Sequence, residues 1–338
     1  MNRFIEIKKL EKTFLGRGLL KRKKNAVSAV DRVSFGIEKN SVFGLVGESG
    51  CGKTSLVRAL LYLDPPTKGE VWIDGTLLGS LSNTNLRSFR KRMQIVFQDP
   101  NAALNPKMTI ENSLEEGLVN RGFNAAERKK RIIEILTQVG ISPTHRKRYP
   151  HEFSGGQKQR IVIARALSME PDFLVLDEPV SNLDVSIQAQ IINLLQDLKD
   201  VLNLTYLFIS HDLNLVAYLS DQIAVMYRGR IVEVGSTDEI MASPRHPYTL
   251  KLFSSIPGTK INTELEKFDT PAESLEKSGK TGKKHVSHMT GCHYIDTCPI
   301  RDNICKSLEP PLKTIQGSHA VACFKIDSPG QSTSENET

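Results

Sequence analysis

The sequence predicts an α/β fold built on a mostly parallel sheet covered on both faces. Two observations predict it. Residues Gly47-Glu48-Ser49-Gly50-Cys51-Gly52-Lys53-Thr54 fit the pattern Gly-x-x-x-x-Gly-Lys-[Ser/Thr]. They stand between an apolar run, Val42-Phe43-Gly44-Leu45-Val46, and a helical stretch, Ser55-Leu56-Val57-Arg58-Ala59-Leu60-Leu61. Later in the chain, short wholly apolar runs alternate with segments of helical period, as in parallel strands buried on both faces.

The strand–loop–helix context makes the glycine motif a phosphate-binding loop. Glycines let the backbone curl so that successive N–H groups face phosphate oxygens. The helix N-terminus adds partial positive charge. Lys53 brings a full charge to the outer phosphates, and the hydroxyl of Thr54 can reach a magnesium ion, with Ser55 next to it. Cys51, inside the loop at a helix start, is expected to have a lowered pKa, so that alkylation blocks ATP binding and ATP protects the thiol. The alternative is that it fills a permissive loop position.

The chain has 338 residues, 39% of them hydrophobic, enough for one large domain and a small one. No apolar stretch approaches the length of a membrane span. The first residues, Met1-Asn2-Arg3-Phe4-Ile5-Glu6-Ile7, alternate like a strand and lack the apolar segment of a signal peptide. A cytosolic setting is therefore expected, in which the five cysteines are not disulfides. The net charge of +7 is modest and reads as a solvated surface, with nucleic-acid or membrane contact left open.

In chain order, residues 2–10 and 29–38 read as two strands of an antiparallel sheet, with Val33, Phe35 and Ile37 alternating with polar or small residues. Between them lies a basic insertion at 16–24, a solvated hairpin tip or, alternatively, a contact for phospholipid headgroups. Strands follow at 69–74 and 93–97. Residues 101–170 read as a helical insertion, in which Asn124 opens a helix carrying Ile132, Ile133, Ile135, Leu136 and Val139, and Gly140 closes it. Residues 173–176 and 205–210 are buried strands. Ile187, Ile191, Leu194, Leu195, Leu198 and Leu202 mark one face of a helix between them. Arg228-Gly229-Arg230 is the turn of a hairpin. The expected organisation is an α/β domain at 1–258, a linker or loosely packed segment at 259–290, a cysteine-bearing module at 291–326 and a disordered tail at 327–338.

Asp177 and Glu178 end the apolar strand at 173–176. Behind a phosphate loop, a carboxylate there holds magnesium, and the adjacent Glu178 is placed to polarise an attacking water. A second anion-ready helix start, without a lysine, is Ser154-Gly155-Gly156-Gln157.

Taken together, residues 47–54, Gln98, Ser154–Gln157, Asp177, Glu178, Ser181-Asn182-Leu183-Asp184 and His211 resemble, in order and spacing, the ATPase of an ABC transporter. The resemblance covers residues 1–258. It implies a P-loop NTPase fold with a mostly parallel core sheet, an antiparallel β subdomain and a helical subdomain. It implies that two cassettes sandwich two ATP molecules, each phosphate loop closing on the other chain's Ser154–Gln157 equivalent, so that this chain alone is incompetent. It gives His211 the γ-phosphate, and Gln98 the magnesium, the water and a relay to a membrane subunit. Phe14 stacks on adenine. Phe153 and Asn182 depart from the usual leucine and alanine without removing a catalytic group.

The stretches Gln98-Asp99-Pro100-Asn101-Ala102-Ala103-Leu104-Asn105-Pro106, Arg148-Tyr149-Pro150-His151-Glu152-Phe153, Asp184-Val185-Ser186-Ile187-Gln188-Ala189-Gln190 and Ser243-Pro244-Arg245-His246-Pro247-Tyr248-Thr249 resemble the oligopeptide and dipeptide importers and their nickel-importing relatives, in the F-type member of the ATPase pair. That resemblance implies a paralogous ATPase, two membrane permease subunits, an extracellular or periplasmic binding protein, and a place on the cytoplasmic face of the membrane. The competing class is a soluble ABC ATPase acting on nucleic acid or ribosomes; the tandem cassettes or long coiled coil of that class are not seen in this sequence, and no nucleic-acid partner is expected.

Cys292, Cys298, Cys305 and Cys323 fall in one short module with little core of its own, where a metal staple is physically sensible. Four thiolates suit structural zinc or an iron–sulfur cluster, and free buried thiols are the third reading. The gaps of five, six and seventeen residues are unlike two close Cys-x-x-Cys pairs. Resemblance to the C-terminal module of peptide-importer ATPases implies a 4Fe-4S cluster. His285, His288, His293 and His319 are read as surface residues.

Overall fold

The computed structural model describes residues 3–15, 26–254 and 290–326. The basic insertion at 16–24, the segment 259–290 apart from residue 290, the tail from 327, His285 and His288 all lie outside the described residues.

The chain starts with strands β1 (Ile5–Leu15), β2 (Ala26–Ile37) and β3 (Val42–Val46), then helix α1 (Lys53–Leu60). Strands β4 (Lys68–Ile73) and β5 (Thr76–Leu77), helix α2 (Asn83–Phe89) and strand β6 (Met93–Val96) follow. Next come four helices, α3 (Pro100–Ala103), α4 (Ile110–Arg121), α5 (Ala125–Gln138) and α6 (Gly155–Leu167). Strand–helix alternation resumes with β7 (Phe173–Asp177), α7 (Val185–Leu202), β8 (Thr205–Ser210), α8 (Leu213–Leu219) and the hairpin β9 (Gln222–Tyr227) and β10 (Arg230–Ser236). Helices α9 (Thr237–Ala242) and α10 (Pro247–Ser254) precede the last described segment, which holds α11 (Ile304–Ser307), β11 (Lys313–Gln316) and β12 (His319–Val321).

Two sheets form. One is antiparallel, in the order β2-β1-β4-β5; the other has eight strands, in the order β11-β12-β10-β9-β3-β8-β7-β6. In the larger sheet β9, β3, β8, β7 and β6 run parallel, and every residue of β3, β7 and β8 is buried. Their largely apolar composition follows from this, because helices or the smaller sheet cover both faces. One face packs on the antiparallel sheet, where the Phe35 and Phe43 rings stack with centroids 4.6 Å apart. The other face packs on α7, α8 and the helices of the 101–170 region.

Local chemistry fixes the helix starts. Asn124 and Glu127 make a reciprocal capping box at α5, and Ser154 and Gln157 make one at α6. On α5, Ile132, Ile135 and Leu136 are buried, while Ile133, on the other side of the turn, is 38% exposed.

One expectation is corrected here. His293 and His319 are buried, not surface residues. β12 pairs antiparallel with β10, Glu233 opposite Val321, so the cysteine-bearing segment extends the main sheet. This pairing draws His319 against Glu233, which is itself fully buried, with Nε2 2.7 Å from Oε1. The same carboxylate accepts the backbone N–H groups of Arg245 and His246 at 2.7 and 2.9 Å. His293 packs against the β9–β10 turn, its Nδ1 3.0 Å from the Arg228 carbonyl.

Candidate nucleotide site

Residues 47–54 join the C-terminal end of β3 to α1, at the edge where the parallel strands end. Gly52 is the left-handed N-cap of α1 (φ 113°), and a Cβ there would lie 2.2 Å from the Ala29 carbonyl of β2. Only glycine permits both the backbone angle and the approach. The β9–β10 turn anchors the loop from the other side, with Gly229 N–H donating to the Cys51 carbonyl at 2.7 Å. Glu48, Ser49 and Gly50 face solvent, whereas Lys53 is buried. The Lys53 ammonium donates to the carbonyls of Gly47 (2.7 Å) and Glu48 (3.1 Å), which holds its charge beneath the cradle.

Cys51 departs from expectation. It is only 7% exposed, and burial pushes its thiol above the ordinary range, outweighing the pull of the Lys53 charge. The helix start and lysine favour a thiolate, but desolvation wins.

Asp177 ends β7 and is buried. Burial raises its carboxyl pKa, the Glu178 charge adds to the rise, and Lys53 and a hydrogen bond from the Thr54 hydroxyl oppose it. A hydroxyl and a carboxylate thus meet at the strand end, a hard oxygen set suited to magnesium, whose charge would favour the ionised acid. Gln98, expected at the same ion, donates its amide to the Ser181 hydroxyl at 3.1 Å. Glu178 has a left-handed backbone (φ 50°), a conformation costing about 1–3 kcal/mol in a non-glycine residue. Its N–H is held by the Ile209 carbonyl of β8 at 2.9 Å. From the end of the same strand, His211 brings Nδ1 to 3.3 Å from the Glu178 carboxylate. Ser181 donates to the Glu178 carbonyl at 3.2 Å, so Gln98, Ser181 and Glu178 form one chain of contacts.

Ser154 caps α6 in the helical layer, and Gly156 lies where a Cβ would come within 2.5 Å of the Ile187 Cγ2 of α7. Among the described residues no hydrogen bond or ion pair links Ser154–Gln157 to residues 47–54. Phe14, on β1, is 41% exposed, and the Lys12 ammonium lies 5.4 Å from its ring centre. Its strand partner Val27 is two residues from Ala29, which lies against the loop.

The motifs do not mark Tyr248. Its hydroxyl accepts the Glu48 N–H at 2.9 Å. The available signal was an aromatic residue in the stretch 243–249, and nothing local ties that stretch to the loop 200 residues away.

The four C-terminal cysteines line one narrow cavity with His246, Tyr294 and Pro310. Burial raises the Cys298 thiol to about 11, and it raises Cys292 and Cys323 as well, with neighbouring thiols adding to each. Among the described residues no group of three or more His, Cys, Asp or Glu side chains is set to hold a metal ion.

Phosphate cradle, hydroxyl–carboxylate pair and strained glutamate meet at one end of the parallel strands, where a P-loop ATPase handles its nucleotide. Residues 30–181 match the ABC transporter family, and residues 232–305 match the family described as oligopeptide/dipeptide transporter, C-terminal region. The chain is 43% identical over 322 residues to the oligopeptide transport ATP-binding protein AppF of Bacillus subtilis (strain 168), covering 94% of this chain and 96% of that one. It is 49% identical over 298 residues to the oligopeptide transport ATP-binding protein OppF of Streptococcus mutans, covering 87% and 94%. Among solved structures, a dimeric ATP-binding cassette in a post-hydrolysis state, bound to ADP and phosphate, overlays with a TM-score of 0.61 at 28% identity, covering 69% of this chain and 98% of that one. The chain belongs to the ATP-binding proteins of the ABC oligopeptide/dipeptide transporter family.

Proposed function

We propose that this chain is the ATP-hydrolysing subunit that powers import of oligopeptides or dipeptides through a membrane ABC transporter. The carrying observation is the near-full-length identity to AppF, together with the match of 232–305 to the transporter C-terminal region. In this reading residues 47–55 bind the ATP phosphates, and Thr54 and Asp177 hold magnesium, with Gln98 joining them. Glu178 serves as general base and His211 orients it and meets the γ-phosphate. Phe14 stacks on the base. The dimeric state of the similar cassette supports a composite site shared with a second cassette, which in this reading is a paralogous ATPase.

Two permease subunits, an external peptide-binding protein and a peripheral place on the cytoplasmic face complete the reading. Among the described residues no helix is long and apolar enough to cross a membrane.

The cysteine cavity is assigned a 4Fe-4S cluster. What supports it is the donor chemistry: four sulfurs line one cavity. A cluster of four irons is wider than one ion and takes one thiolate per iron. Cys292, Cys298 and Cys323, whose thiols burial raises, would lose their protons on loading.

Two measurements test the reading. Purification of the chain from membranes should recover permease subunits; recovery with ribosomes or DNA would overturn the importer assignment. Glu178→Gln should retain ATP binding and lower turnover in the assembled transporter by roughly 10²–10⁴-fold. Near-normal hydrolysis would remove Glu178 from the role. For the cavity, anaerobically purified protein should be brown with about four irons, lost on Cys298→Ser; one zinc or no metal would overturn the cluster.

A further inference from the structure

The phosphate loop is held in place by a residue outside all of its motifs. Tyr248, at the start of α10, is 0% exposed, and its hydroxyl accepts the Glu48 N–H at 2.9 Å. That N–H belongs to the same peptide plane as the Gly47 carbonyl, and the Gly47 carbonyl accepts the Lys53 ammonium at 2.7 Å. A trans peptide is rigid, with its C=O and N–H pointing in opposite directions. Turning one end turns the other. One turn further along α10, the Lys251 ammonium lies 3.9 Å from the Glu48 carboxylate, a second contact from the same helix.

The phenol is well placed to act as a fixed point. Its ring packs against Tyr227 and Tyr294, with centroids 4.5 and 5.6 Å away. The Tyr248 backbone N–H donates to His246 Nδ1 at 3.1 Å, and the His246 backbone N–H is held by the buried Glu233 carboxylate. The loop is the softer partner: residues 48–50 are exposed, and Gly47, Gly50 and Gly52 all have positive φ.

We propose that Tyr248 is a positioning residue for ATP binding: by accepting the Glu48 N–H it orients the Gly47–Glu48 peptide, and through the Gly47 carbonyl it sets where Lys53 holds its charge. The proposal rests on the ATPase reading above and adds to it a residue that touches neither nucleotide nor metal. Because the lysine contacts phosphate in ground state and transition state alike, the loss falls on binding more than on turnover.

The test is Tyr248→Phe in the full chain, which keeps the ring and its packing and removes only the acceptor. Losing one such hydrogen bond should raise the Kd for MgATP and MgADP roughly 3- to 10-fold. In the assembled transporter the KM for ATP should rise by the same factor with kcat within about twofold. Tyr227→Phe is the control, since its hydroxyl bonds toward Thr297 and not toward the loop; it should leave the Kd unchanged. An unchanged Kd in Tyr248→Phe beside a wild type that binds ATP would overturn the proposal alone. So would an equal rise in Tyr227→Phe, which would mark general loosening. A wild type that fails to bind MgATP would overturn the ATPase reading and this inference with it.

Discussion

At the scale of single residues, burial decides chemistry that the local motif only suggests. Cys51 sits where a helix start and a lysine both favour the thiolate, yet burial raises its pKa. Thiol labelling of the native chain at pH 8, read by site-resolved mass spectrometry, should therefore be at least about tenfold slower at Cys51 than in the unfolded chain. Fast labelling would show that the lysine prevails. His246 shows the same physics with the opposite charge. Burial lowers its pKa to about 4 from an ordinary 6.5, against the pull of the Glu233 charge. As pH falls, the unfolded imidazole takes up a proton first, so native stability is complete above about pH 6.5 and declines down to about pH 4. Between pH 7 and pH 5 this residue's share of the loss should be roughly 2 kcal/mol. Urea titrations at the two pH values should show that His246→Asn loses correspondingly less stability than wild type.

At the scale of elements, the helices were readable because each carries its own start signal and face. The period of α7 marks Ile191, Leu194, Leu195 and Leu198, all buried, but passes over the buried Ile192, and the caps at Asn124 and Ser154 predict where α5 and α6 begin. What periodicity does not contain is how closely two helices approach. Gly156 reads in the sequence as part of an anion-binding turn. In the fold it is also the point where α6 meets Ile187 of α7, with no room for a methyl group. Gly156→Ala should destabilise the chain by about 1–3 kcal/mol through overpacking. Adding Ile187→Ala, which removes the obstructing Cγ2, should recover part of that loss in a melting experiment. No recovery would mean that the cost of Gly156→Ala lies elsewhere.

At the scale of the whole molecule, the last described segment is part of the sheet. β12 closes the β10 edge, and His319 joins two backbone donors around the buried Glu233 carboxylate. His319→Ala would strand part of that carboxylate and should cost about 3 kcal/mol. Because Glu233 also holds the His246 segment, and with it Tyr248, the same change should weaken MgATP binding. If denaturation shows the loss but nucleotide titration does not, the link from the C-terminal segment to the phosphate loop is broken.

The sequence by itself determined the parallel strands, the phosphate loop and the Asp177–Glu178 pair, because each is encoded within a dozen contiguous residues by composition, period or spacing, and the order of such local motifs along the chain carried the transporter-family resemblance. It also grouped the four C-terminal cysteines, although their spacing left zinc and iron open. Only the tertiary structure decided the state of Cys51, the burial of His293 and His319, the turning of Gln98 toward Ser181, and the reach of Tyr248 to Glu48. Each of these depends on what is packed beside the residue, and those neighbours come from strands and helices far away in sequence. Desolvation and long-range hydrogen bonds are properties of that surrounding shell, which no local pattern of residues specifies.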